Sequence, residues 1–303
     1  MNNSELVQNF QILRDYYAKK RDRFRSAAYA RAVRALSRLP EIKTTEDVKG
    51  IKGIGKTLTA KIEEYLSTGK INKVESIKDE VNDVHPFEKI FGVGPKTSYR
   101  LQSMGFRTIS DLKSNTHVLT NQQKTGLKYY YELLEKIPRI KITALSIIIK
   151  YLIDKTFGRD TYQMDVAGSY RRGKPFSGDI DILITSEYFT LEQLVSMLTR
   201  YDIITDTLSM RNTKFMGIAK CPGQKRPHYR LDIEFLPREE YFSGLLYFTG
   251  SKELNVEMRL IAKNKGYLLN EHGLFRNGRR LPIDSERDIF DKLEIEYLMP
   301  TDR

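Results

Sequence analysis

Residues 166 to 185, Val-Ala-Gly-Ser-Tyr-Arg-Arg-Gly-Lys-Pro-Phe-Ser-Gly-Asp-Ile-Asp-Ile-Leu-Ile-Thr, constrain the fold of this chain more than any other stretch. They read as a turn, a short helical start and then a strand. Asp179 and Asp181 stand two apart and run into Ile182-Leu183-Ile184. Side chains two apart in a strand share a face, so both carboxylates enter one space. Like charges that close repel unless a cation compensates them. Magnesium suits the pair, because it takes carboxylate oxygens and keeps substrate phosphates as further ligands. Upstream, Gly168 and Ser169 offer backbone and hydroxyl donors, and Arg171 and Arg172 add positive charge. Phosphate donors followed by metal carboxylates suggest phosphoryl or nucleotidyl transfer. An Asp-X-Asp pair alone reads first as a solvated surface strand, and the Gly-Ser upstream together with Gly178-Asp-Ile-Asp181 shifts the balance.

The charge balance points to the partner. Lysine and arginine number 51 against 39 acidic residues, a formal net charge of +12. That favours a polyanion, nucleic acid first and an acidic membrane surface second. No apolar run approaches the roughly 18 residues of a membrane-spanning helix, and the N-terminus lacks the pattern of a secretion signal. Cys221 is the sole cysteine, which excludes an intrachain disulfide and a cysteine-based zinc cluster and fits a reducing compartment. The length of 303 residues allows two or three compact domains.

Residues 1–78 read as helical. Leu6, Phe10, Leu13 and Tyr17 recur at helical spacing, as do Ala28, Ala32, Ala35, Leu36 and Leu39. Lys19, Lys20, Arg21, Arg23, Arg25, Arg31, Arg34 and Arg38 interleave with them. A basic helix face is often only solvated, but the scarcity of acidic residues here favours phosphate binding. Ile51-Lys-Gly-Ile-Gly-Lys-Thr57 then opens a helix, and Ile90-Phe-Gly-Val-Gly-Pro-Lys-Thr97 repeats the arrangement some forty residues on. A lone Gly-X-Gly turn is most often a helix cap. Two copies with basic followers suggest free N–H groups that hold phosphates, at Gly53, Gly55 and Lys56 and again at Gly92, Gly94 and Lys96.

Further along, Gln122 to Ile137 read as one helical tail, with Leu127, Tyr130, Tyr131 and Leu134 in the core. Pro138-Arg139 breaks it, and an amphipathic helix occupies 140–157. Leu191 to Leu198 is helical. Strands are expected at 203–208, 214–219 and 229–236. The last alternates, with Arg230, Asp232 and Glu234 on one face and Leu231, Ile233 and Phe235 on the other. The polar face can join Asp179 and Asp181 across a sheet. No role is assigned to Glu234.

The 166–185 stretch resembles the signature of the nucleotidyltransferase superfamily of DNA polymerase beta. With the two hairpins and Tyr247-Phe-Thr-Gly-Ser251, the resemblance extends over essentially the whole chain, to family X DNA polymerases. It implies a multidomain architecture. An all-α N-terminal lyase and helix-hairpin-helix region precedes an α+β nucleotidyltransferase palm and a C-terminal α/β thumb-like subdomain, which binds the nascent base pair. The expected boundaries are 1–78, 79–139, 140–238 and 239–303. By resemblance, Asp179, Asp181 and Asp232 hold two magnesium ions, for which manganese substitutes, and Arg230 orients Asp232. Arg139, Ser169, Arg172 and Gly178 meet the triphosphate. Tyr247, Phe248 and Gly250 flank the incoming sugar, Asn255 reaches its base and Arg259 the templating strand. In the N-terminal domain, Lys61 forms a Schiff base with an abasic sugar, and Arg25, Tyr29 and Lys49 bind the 5′-phosphate. Backbone carbonyls of Lys49, Ile51 and Ile54, and of Glu88, Ile90 and Val93, hold a monovalent cation (sodium or potassium) at each hairpin.

Three departures from the family pattern stand out: Thr57 for a pocket lysine, with Lys56 beside it, and Lys252 and Val256 near the nucleotide. The implied function is template-dependent gap filling in base excision repair, with removal of 5′-deoxyribose phosphate. Gapped or nicked DNA and deoxynucleoside triphosphates are the partners of a monomer. The compartment is the nucleus for a cellular eukaryotic chain, or the virion or viral factory for a viral one. The alternatives are a template-independent terminal transferase, an RNA nucleotidyltransferase, a gap-binding polymerase without lyase activity and a non-catalytic gap binder. A terminal transferase would need a long loop between Ala219 and Tyr229, where this chain has a short one.

Overall fold

A computed structural model describes residues 3–20, 22–82 and 86–303. Arg21, and the side chains of Lys19 and Arg38, lie outside them. The chain divides into two compact units, Met1–His85 and Pro86–Arg303.

The first unit is helical: α1 (Ser4–Lys19), α2 (Arg23–Arg38), α3 (Lys56–Thr68) and α4 (Asn72–Asn82). Leu6, Phe10 and Leu13 of α1 recur every three or four residues and are buried against Tyr29, Ala32, Val33 and Leu36 of α2. The Asp22 carboxylate accepts from the Arg25 N–H and caps α2. The turn into α3 places Gly53 at φ +102°, and a Cβ there would lie 3.2 Å from the Arg31 Cβ. Conformation and close approach to α2 therefore both call for glycine. Gly55 is extended (φ −95°, ψ 177°) and forms the N-cap of α3.

The second unit opens with α5 (Pro95–Ser103), α6 (Ile109–Ser114), α7 (Asn121–Lys128) and α8 (Tyr130–Leu134). Its hairpin turn repeats the first: Gly92 has φ +81°, and Gly94 is the extended N-cap of α5 at φ −93°, ψ 177°. The Gln123 side chain donates to the Gly92 carbonyl at 2.8 Å and fixes this turn on α7. The expected single helix from Gln122 to Ile137 is not formed. It breaks at Tyr129, whose hydroxyl bonds the Asp206 carboxylate at 2.5 Å, and Ile137 belongs to a strand. Leu127 and Tyr130 are buried as expected, but Tyr131 and Leu134 are exposed, because α8 restarts in a different phase.

Next, β1 (Ile137–Pro138) leads into α9 (Arg139–Phe157). A five-stranded sheet carries β2 (Tyr162–Val166), β4 (Ile180–Ser186), β5 (Ile204–Met210), β6 (Lys214–Ala219) and β7 (Tyr229–Phe235) in the order β2-β4-β7-β6-β5. The helical turn α10 (Gly168–Arg171) and β3 (Phe176–Ser177) lie between β2 and β4, and β3 pairs with β1. α11 (Leu191–Arg200) follows β4, capped by Thr190, whose side chain accepts from the Gln193 N–H. One face of the sheet, with Ile180, Ile182, Ile184, Leu231 and Ile233, is buried against α9 and α11. The other face carries Asp181, Asp232 and Glu234. It is partly covered by α12 (Tyr241–Thr249), where Tyr241 and Leu245 pack on Leu183 and Leu236. The chain ends with α13 (Lys252–Asn264), an antiparallel sheet of β8 (Tyr267–Asn270), β9 (Gly273–Arg276) and β10 (Arg279–Arg280), and α14 (Glu286–Lys292). This α+β region after an all-α region is the architecture expected from the sequence. No helix among the described residues is long and apolar enough to cross a membrane.

Candidate active site

Strand register assembles the carboxylates. β4 and β7 run parallel with Asp181 directly opposite Asp232. Asp179 stands just before β4, two residues from Asp181, and side-chain oxygens of all three lie within 4.8 Å of one another. Arg230, two before Asp232 on β7, donates to both Asp232 oxygens at 3.0 and 2.5 Å and lies 3.6 Å from Asp179. One guanidinium does not neutralise three carboxylates. Burial, then the charges of Asp179 and Asp232, push the Asp181 carboxyl up to about 7, and burial raises Asp179 as well. Close oxygens, a charge deficit and hard ligands fit a divalent cation.

A bound cation must displace the proton that Asp181 carries below pH 7. Apparent Mn²⁺ affinity is therefore expected to fall about fivefold between pH 7 and 6 and to level off above pH 8. Titration of the protein with Mn²⁺ at pH 6, 7 and 8 checks this. The raised carboxyl also makes the metal-free fold lose stability as pH rises from the ordinary carboxylate range through 7, a loss that the cation offsets.

Beside the triad an open cleft of about 570 Å³ is lined by Ser169 and Arg172, by Asp179 and Asp181, and by Tyr247, Phe248, Gly250, Asn255 and Arg259. Gly168 at its floor has φ +58°, and a Cβ there would sit 2.1 Å from the Asp181 Oδ2. Gly168→Ala is therefore expected to displace that carboxylate. Its expected effects are a loss of at least about tenfold in Mn²⁺ affinity and about 1–3 kcal/mol of stability, read from Mn²⁺ titration and thermal unfolding.

The Ser169 hydroxyl bonds Ser177 at 2.8 Å, and Arg172 donates to the Thr249 carbonyl. α10, which presents these donors, is anchored by Arg171. Its guanidinium meets Glu286 at 2.7 and 2.9 Å, and Arg303 meets the same buried carboxylate at 2.6 Å. The Tyr247 and Phe248 rings meet edge to face at 5.0 Å. Asn255 donates to the Tyr247 carbonyl at 2.7 Å, and Arg259 lies 4.9 Å over the Tyr247 ring and 3.1 Å from Glu271. Lys252 and Val256, two of the departures, line the same cleft.

Two expected triphosphate residues lie elsewhere. Arg139 does not line the cleft: it stacks 4.0 Å over the Tyr170 ring and donates to the Tyr170 carbonyl at 2.5 Å. Gly178 opens instead onto a neighbouring hollow with Arg230, Phe91 and the second hairpin. Lys136 joins the site without a signal in the sequence. The pairing of Ile137 with Ser177 sets it opposite Gly178, where a Cβ would lie 3.7 Å from its Nζ, and its charge pulls the Asp179 carboxyl down. Two-residue strands leave no periodicity to read, so the sequence carried no signal for this placement.

The first unit holds a second cavity of about 850 Å³. Arg25, Tyr29, Gly53, Gly55, Lys56, Thr57 and Lys61 line it, with Tyr17, Phe24 and Arg31. Tyr17 stacks on Tyr29 at 5.6 Å, and Arg25 lies 5.2 Å over Tyr17. Burial pushes the Tyr29 hydroxyl up to about 12, which keeps it a neutral donor. Lys49 is outside the cavity: it is exposed and paired with Glu46 at 2.9 Å, three residues back in the same turn. Of the carbonyls expected to meet monovalent cations, those of Ile51 and Ile90 accept from Ile54 and Val93 at 3.0 Å. Each keeps one lone pair.

Residues 136–238 match the DNA polymerase beta palm, 244–303 the DNA polymerase beta thumb, 85–134 the fingers domain of DNA polymerase lambda and 1–71 a helix-hairpin-helix domain. The chain is 32% identical to DNA polymerase lambda of Rattus norvegicus over 324 residues, covering 99% of this chain and 56% of that protein. It is 32% identical to DNA polymerase lambda of Arabidopsis thaliana (97% and 60%) and 31% identical to DNA nucleotidylexotransferase of Xenopus laevis (97% and 67%). The chain thus spans little more than half the length of the lambda relatives.

Proposed function

Because the chain belongs to family X of the DNA polymerases, we propose that it fills short gaps in DNA by template-directed nucleotidyl transfer. The observation that carries this reading is the convergence of three carboxylates within 4.8 Å beside a cleft of nucleotide size. Asp179, Asp181 and Asp232 would hold two magnesium ions. When bound, these ions supply a lowered pKa for the primer 3′-hydroxyl and a counter-charge for the pyrophosphate. Arg230 orients Asp232 by donating to both of its oxygens. Ser169, Arg172 and Lys136 offer donors to the phosphates, where charge accumulates in the transition state. Tyr247 and Phe248 form the wall against the sugar. Asn255 exchanges its bond to the Tyr247 carbonyl for the edge of the incoming base, and Arg259 turns from Glu271 to the templating strand.

Residues 1–78 take the 5′ side of the gap, 79–139 the duplex, 140–238 the chemistry and 239–303 the nascent base pair. The carbonyls of Lys49, Ile51 and Ile54, and of Glu88, Ile90 and Val93, would hold sodium or potassium, which would supply positive charge for the DNA backbone. The Lys61 amine attacks the aldehyde of a 5′-deoxyribose phosphate and water leaves, giving the imine that borohydride traps. Arg25, Tyr29, Lys56 and the first turn of α3 receive the phosphate. Base excision repair in the nucleus is the setting that these two activities and the eukaryotic lambda relatives support.

The nucleotidylexotransferase relative keeps a template-independent reading in play. Against it stands the connection from β6 to β7. It is short and tied down: Glu132 accepts from the His228 N–H at 2.8 Å and meets its Nδ1 at 2.9 Å, and Lys220 donates to the Gln224 carbonyl. The test is a one-nucleotide gap bearing a 5′-deoxyribose phosphate, with borohydride trapping in parallel. Insertion with a trapped adduct is expected. Insertion without one would leave a polymerase whose small domain only grips the 5′-phosphate, with Thr57 as the reason.

A further inference from the structure

Glu234 had no role in the sequence reading, yet it is buried on the catalytic face of the sheet, two residues from Asp232. Its register partner across β6 is Lys214, and the two form an ion pair. The row of the sheet beside them is Asp181, Asp232 and Met216. Lys214 therefore stands diagonal to Asp232, a separation that a lysine side chain spans. Its ammonium also lies 5.6 Å over the Phe248 ring, at the wall of the nucleotide cleft. Its charge is felt at Asp181. Lys214 thus has two destinations within reach: Glu234, or the three carboxylates, whose charge Arg230 offsets only in part.

We propose that Glu234 is a positioning residue that holds Lys214 off the carboxylate triad, so that the lysine does not compete with a divalent cation for Asp181 and Asp232. This deepens the two-metal reading and rests on it. Glu234 is 9% exposed and, two residues along the strand, shares its face with Asp232. The pair with Lys214 is what compensates a carboxylate in that position, and the same pair restrains the lysine. Without Glu234, the ammonium gains by swinging toward the larger negative charge of the triad. It would then occupy, as a tethered cation, the space that the triad offers to metal.

The experiment measures Mn²⁺ binding to the full chain by electron paramagnetic resonance, for wild type, Glu234→Gln, Lys214→Met and the double variant. Each is checked for folding by circular dichroism. Glu234→Gln is expected to weaken Mn²⁺ binding about tenfold, and adding Lys214→Met is expected to restore it to within about twofold of wild type. A merely structural role for Glu234 would not be rescued by removing its partner. Glu234→Gln binding Mn²⁺ as wild type does, or a double variant no tighter than Glu234→Gln, would overturn the proposal and leave the metal site standing. Wild type failing to bind Mn²⁺ in an Asp181-dependent way would remove the two-metal reading, and this proposal with it.

Discussion

Asp232→Ala is expected to lower nucleotide insertion on a gapped primer by at least about a thousandfold, while borohydride trapping at the N-terminal unit stays within about twofold. Asp232 is 5% exposed and accepts from Arg230 through both oxygens. Its loss removes one side of the carboxylate cluster and leaves a half-buried guanidinium facing Asp179 at 3.6 Å. Three carboxylates against one guanidinium become two against one, so the pull of the site on a divalent cation weakens. Asp232→Asn keeps the shape and should lose nearly as much, since it lacks the charge. Single-turnover insertion with each variant measures the effect. Insertion at wild-type rate by Asp232→Ala would remove this residue from the metal site.

Lys61→Ala should give the reverse pattern. Trapped adduct is expected to drop at least about a hundredfold, with insertion unchanged within about twofold. Lys61 lines the N-terminal cavity together with Lys56 and Arg25. The cavity therefore offers a second amine, and Lys56→Ala is the necessary comparison. It is expected to weaken 5′-phosphate binding while leaving the adduct detectable at saturating DNA. Undiminished trapping in Lys61→Ala would transfer the nucleophile's role to another amine.

Much of the site was legible because it is written in short-range spacing. Asp179 and Asp181 are two apart, Arg230 and Asp232 are two apart, and a strand turns each spacing into a shared face. The parallel register that sets Asp181 opposite Asp232 completes the cluster. The hairpins were legible for a similar reason: Gly53 and Gly92 recur in the same local frame and adopt the same positive φ. What escaped was decided at longer range. Arg139 has the charge and sequence context of a phosphate ligand, but the Tyr170 ring and carbonyl claim it. Lys136 gains its place from a two-residue ladder with no periodicity. Tyr129 falls mid-way in a helical pattern, but its hydroxyl reaches β5, and the place of Glu234 is set by its neighbour Lys214 on the adjacent strand.

The most direct measurement of the central claim is insertion on four one-nucleotide gaps that differ only in the templating base. Each is offered the four deoxynucleotides with Mg²⁺ and again with chelator, beside a single-stranded primer. The account predicts insertion of the complementary nucleotide at each gap, loss of insertion with chelator, and negligible extension of the single strand. Insertion indifferent to the templating base would contradict it in favour of a terminal transferase, and the absence of Mg²⁺-dependent insertion would contradict it outright.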